Sequence, residues 1–104
     1  MARVLVLFRA GPAQADRVRD CLDLALAAIA FDHDVRVIFS GEGVALVRGD
    51  DAGLTANLRA LAFHGASAIG VDAAFADGGA LAAQRLDADA QRAWLAAADH
   101  VFAC

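Results

Sequence analysis

Apolar residues along this 104-residue chain fall into two spacings. Short unbroken runs rich in Val and Leu read as buried strands, and longer stretches with apolar positions three and four apart read as helices. The stretch from Asp20 to Leu46 sets the pattern. It leaves the body of an amphipathic helix, turns an acidic corner at Asp32-His33-Asp34, enters the strand Val35 to Phe39, and reaches the turn Ser40-Gly41-Glu42-Gly43. Val-Arg-Val-Ile-Phe is apolar at four of five positions. Such a strand is expected to be buried on both faces, as in a parallel sheet covered by helices.

The remaining elements follow in order. Arg3 to Phe8 reads as a first strand, and Arg9 to Ala15 as a loop containing Gly11 and Pro12. Helix one is predicted over Asp16 to Phe31, with Asp16 capping it or favouring its positive start. Its apolar stripe runs through Val18, Cys21, Leu22, Ala25 and Ile29, flanked by Leu26. Strand two covers Val35 to Ser40, and a weaker segment, Val44 to Arg48, ends at Gly49-Asp50-Asp51. A second helix is predicted over Leu54 to His64, closed by Gly65 in a left-handed conformation. Ser67 to Val71 reads as strand three, followed by Asp72 and a short helical turn, Ala73 to Ala76. A brief strand around Ala83 to Leu86 precedes a helix capped by Asp87, with Asp89 in its first turn, that runs to about Ala98; His100 to Cys104 reads as a last strand. This alternation predicts one three-layer α/β/α domain over residues 1–104, with a mainly parallel sheet of about five strands.

Composition adds one expectation. At 60% hydrophobic and 21% charged, with a positive mean hydropathy, the chain is apolar for a domain too small to hide all of that surface in one core. Subunit contacts are therefore expected. The net charge of −4 and the absence of a dense basic run argue against a nucleic-acid surface. All nine cations are Arg, and Arg17 and Arg19 alternate with Asp16 and Asp20 as on a solvated helix start. No stretch approaches the ~20 apolar residues of a membrane span, and the apolar run after Met1-Ala2-Arg3 is too short for the core of a signal peptide. A cytoplasmic location is expected.

Candidate chemistry is sparse. Ser40 to Gly43 lies at a strand's carboxyl end, where open α/β folds place their clefts, yet it matches neither common phosphate-binding glycine pattern and reads as a tight turn. His64 suits a helix end better than a catalytic base. Asp32-His33-Asp34 reads as a polar turn, since three adjacent side chains without a fourth make a poor metal site. Neither a metal nor a cofactor is implied. Cys21, on the apolar stripe, reads as a small buried hydrophobe. Cys104, at the end of the last strand, is a weak candidate thiol, because an adjacent carboxylate would raise its pKa. The two cysteines are expected to remain separate thiols in a reducing compartment.

Several series, in order, resemble the DsrE/DsrF-like family, specifically its TusC/DsrF branch. They are Leu22-Asp23, Ala30 to Val35, Val37-Ile38-Phe39, Gly43-Val44, Leu58 to Leu61, His64-Gly65, Gly70-Val71-Asp72, Leu86-Asp87 and Asp99-His100-Val101. The resemblance implies a subunit of a cytoplasmic sulfur relay, joined with TusD/DsrE-like and TusB/DsrH-like chains in a heterohexamer that passes persulfide sulfur toward tRNA 2-thiouridine or within sulfur oxidation. In the family the sulfur-carrying cysteine follows the third strand. Here that neighbourhood reads Val71-Asp72-Ala73-Ala74-Phe75, and a carboxylate cannot replace a thiolate. The family's basic stretch beyond it is replaced by Ala76-Asp77-Gly78-Gly79. The expected role is accordingly that of a non-catalytic partner. Two other readings stand beside it: a homo-oligomeric module holding a small ligand near Gly11, Gly41 and Asp72, and a thiol sulfurtransferase using Cys104. The sequence does not name the interface; the exposed parts of helix two and Val44 to Arg48 are candidates for it.

Overall fold

A computed structural model describes residues 2–74 and 79–104. Strands β1 (Arg3–Phe8), β2 (Asp34–Phe39), β3 (Ala68–Asp72), β4 (Gln84–Leu86) and β5 (His100–Ala103) form one sheet in the order β4-β3-β2-β1-β5. All four pairings are parallel. Helix α1 (Ala15–Ala30) and the shorter α2 (Val44–Arg48), α3 (Ala52–Leu58) and α4 (Ala60–Phe63) supply one layer, and α5 (Ala88–Ala97) supplies the other. The predicted three-layer α/β architecture is therefore the observed one.

Strand periodicity divides the core. Val4, Val6, Phe8, Val35, Val37 and Phe39 point to the α1 side, where Val18, Cys21, Leu22, Ala25, Leu46, Leu54, Leu58 and Leu61 meet them. The rings of Phe8 and Phe39 stack with centroids 4.8 Å apart. Leu5, Ile38 and Leu86 point the other way, against Ala90, Trp94 and Ala98. Arg36 shares that second face, its guanidinium 5.3 Å from the Trp94 ring, where the positive charge meets the π cloud. The prediction that β2 is buried on both faces holds, with Asp34 and Arg36 as its partly exposed members.

Helix boundaries differ from expectation where side chains compete for backbone groups. Helix α1 starts without a side-chain cap; Asp16 lies in its first turn and pairs instead with Arg19 at 3.4 Å. The predicted second helix begins earlier, because Asp51 accepts the Leu54 amide at 3.1 Å as an N-cap. It divides into α3 and α4 at Arg59, whose guanidinium reaches out to the Ala80 carbonyl. Gly65, at φ +106°, closes it as expected. Val44 to Arg48 is a helical turn whose Val44, Leu46 and Val47 are buried, leaving Arg48 exposed and Ala45 partly so. Of the predicted turn Ala73 to Ala76, the last two residues lie outside the described residues, as does most of Ala76-Asp77-Gly78-Gly79.

Two details fix how α2 packs. Gly43 presses against the Phe8 carbonyl so closely that a Cβ there would overlap the oxygen. The Thr55 hydroxyl, buried in α3, donates to the Leu46 carbonyl at 2.6 Å, which satisfies a group that burial would otherwise penalise. Gly43→Ala should destabilise the protein by about 1–3 kcal/mol, the usual cost of overpacking; an unchanged denaturation midpoint would contradict the close approach. Thr55→Val, nearly isosteric, should cost about 1–2 kcal/mol through the lost hydrogen bond, measured the same way.

Candidate functional site

In an open parallel sheet, ligand clefts form beyond the carboxyl ends of the strands. Among the described residues, two of the open clefts there hold residues expected at a site. The first, about 340 Å³, is bounded by Gly11, Pro12, Ala13, Gly41, Glu42, Val44, Ala45 and Arg48, at the ends of β1 and β2. Its walls approach closely: a Cβ on Gly11 would sit 2.6 Å from the Glu42 carbonyl oxygen. Ser40 to Gly43 is indeed a tight turn, with the Gly43 amide donating to the Ser40 carbonyl at 2.9 Å. The cleft offers one carboxylate, one guanidinium and otherwise small or apolar surface.

The second cleft, about 650 Å³, lies between the end of β3 and the start of α5, bounded by Asp72, Ala73, Ala74, Asp87, Ala88, Gln91, Arg92 and Leu95. Its polar groups are largely engaged. Asp72 accepts the Ala74 amide at 3.0 Å, Asp87 caps α5 by accepting the Ala90 amide at 2.8 Å, and Gln91 donates to the Leu86 carbonyl at 3.1 Å. Arg92 pairs with Asp89 within α5. Asp72 thus acts as a turn residue. Gly11 and Gly41 share the first cleft and Asp72 stands in the second, so the three residues expected around one ligand are not brought together.

The corner at Asp32-His33-Asp34 assigns its side chains to different tasks. Asp32 takes a left-handed φ of 63°, His33 Nδ1 accepts the Ala2 amide at 3.1 Å, and Asp34 faces Arg3 at 3.8 Å. His64 is exposed at the end of α4.

The cysteines overturn expectation. Cys21 and Cys104 are joined in a disulfide, with Cα atoms 6.0 Å apart. Strand order is the cause: β5 pairs with β1, and the register that sets Ala103 beside Leu7 directs the next side chain to the α1 face. There Cys21, fully buried, waits on the apolar stripe. Backbone bonds hold Cys104 in place, its amide donating to the Leu7 carbonyl at 3.0 Å and its carbonyl accepting from the Arg9 and Ala10 amides, both at 2.9 Å. Cys104 is partly exposed and is not a free thiol. Nothing in the spacing of two residues 83 apart shows that their elements are neighbours. The available signal was that both fall on apolar, sheet-facing positions.

These features define a small parallel α/β domain with shallow strand-end clefts and one cross-linked edge strand. The chain belongs to the DsrE/DsrF-like family, whose model matches residues 2–102. Among solved structures, the crystal structure of the YchN protein from E. coli is similar over 100% of both chains, with a TM-score of 0.81 and 15% sequence identity; at that identity the likeness concerns the fold. No curated protein matches the sequence. Among the described residues no helix is long and apolar enough to cross a membrane.

Reduction of the Cys21–Cys104 bond should lower the stability of the domain. In the chain-entropy account, a loop of this length contributes at most about 4–5 kcal/mol. Guanidinium unfolding with and without a dithiol reductant measures it, and coincident curves would show that the bond constrains the unfolded chain little.

Proposed function

We propose that the chain, as one domain over residues 1–104, is a non-catalytic subunit of a cytoplasmic sulfur-relay complex of the TusBCD/DsrEFH type. Its partners would be DsrE/TusD-like and DsrH/TusB-like chains, and the relay would serve tRNA 2-thiouridine formation or sulfur oxidation. The observation that carries this reading is family membership combined with Asp72. Where the family's sulfur carrier is expected, this chain has a carboxylate spent on a turn, and a persulfide requires a thiolate. The sulfur would then ride on a partner's cysteine. Exposed apolar side chains are compatible with association: Phe31 and Phe63 are 77% and 85% exposed, and Val101 and Phe102 are exposed on the edge strand.

A second reading, a homo-oligomeric module that holds a small ligand, is favoured by the 340 Å³ cleft at Gly11 and Gly41, which is open although Asp72 stands apart from it. Native mass spectrometry of the protein isolated from its own host separates the two. Equal copies of two other small DsrE-like chains are the expected result. A homo-oligomer without partners would overturn the relay-subunit reading in favour of the second.

A further inference from the structure

The two residues of the cross-link are unequally covered. Cys21 is fully buried on α1, whereas Cys104 is partly exposed where the chain leaves β5. Strand β5 itself is an edge strand with all four residues exposed. Its hold on the molecule consists of the ladder to β1, the Asp99 bonds to Arg3 at its start, and Cys104 at its end. We propose that the Cys21–Cys104 bond is a reversible thiol-exchange site, attacked at Cys104 by dithiol reductants, and that its opening frees the carboxyl end of β5.

The chemistry balances within the pair and its reductant. A thiolate of the dithiol attacks Cys104 Sγ, forming a mixed disulfide and expelling the Cys21 thiolate, which takes up a proton. The reductant's second thiol then attacks its own sulfur in that mixed disulfide. The reductant leaves oxidised, and Cys104 leaves as a thiolate. Attack in the opposite sense is blocked, because the Cys21 sulfur is covered by the core. The dithiol state is also well accommodated. A protonated Cys21 is a small hydrophobe at a fully buried position, and the Leu7 carbonyl oxygen, 3.9 Å from its sulfur, is placed to accept from the thiol. Neither state leaves a buried charge.

The change also reaches the first cleft. The Cys104 carbonyl accepts the amides of Arg9 and Ala10, and the next residues, Gly11 to Ala13, form one wall of that cleft. Loosening Cys104 loosens the segment that shapes it. In a reducing compartment, as proposed above for the relay, a disulfide that does form is typically transient or redox-sensing; only this last point rests on that proposal, and the test below does not depend on it.

The test uses the full chain and two variants. On mixing with oxidised glutathione, Cys21→Ala should acquire one glutathione on Cys104, releasing one glutathione thiol. In Cys104→Ser, Cys21 should be modified at a rate lower by about 100-fold or more, since thiol exchange depends on access to the sulfur. In the unsubstituted protein, a dithiol should open the bond without denaturant. Backbone order parameters of His100 to Ala103 should then fall below about 0.6 while β2 stays near 0.85, the values of mobile and rigid backbone. Comparable modification of Cys21 and Cys104 would overturn the proposal. So would a bond that opens only in denaturant, or β5 order parameters unchanged by reduction.

Discussion

Six residues of β1 lie beside six of β2, from Arg3 opposite Asp34 to Phe8 opposite Phe39, and the rest of the molecule is arranged around that ladder. β2 is the middle strand of the sheet and β1 has a neighbour on each side, so their register fixes which side chains face which helix layer. A slip of one residue would turn Val4, Val6 and Phe8 away from α1 and bring Arg3 and Leu7 toward it. The helices then take their places by what the two faces offer. The broader apolar face receives four helical segments, and the smaller patch at Leu5, Ile38 and Leu86 receives one.

Legibility of the fold in the sequence tracked how local the deciding interaction is. Strands β1 and β2 were readable because their apolar runs leave no other use for them, and α5 because Asp87 caps it within three residues. The start of α3 lies earlier than the apolar spacing from Leu54 implies, because Asp51, a local signal of the same kind, caps it. Val44 to Arg48 could not be placed by pattern, since five residues are too few for a helical period to separate from a strand. The disulfide was out of reach for a different reason. It depends on which strand lies next to β1, and strand order is a property of the assembled sheet.

The functional residues divide in the same way. That the chain lacks a thiol after β3 could be read directly, and the structure adds what Asp72 does there, holding the Ala74 amide. The grouping of Gly11 with Gly41 and Pro12, and the separation of both from Asp72, follow from the three-dimensional path of the loops beyond β1, β2 and β3. In the second cleft the polar groups are largely engaged in a turn, a helix cap and an ion pair.

The unequal covering of the sheet has a consequence for how the molecule yields. On one side α1 to α4 interlock through a continuous core; on the other, α5 rests on three buried residues, with Gly70 leaving the space that Leu86 and Trp94 fill. Opening units in proteins follow such differences in buried contact. The domain therefore has a grain, like a board braced along one side: α5 is the part that can lift while the braced side, with β5 tied to α1 through Cys104, remains whole.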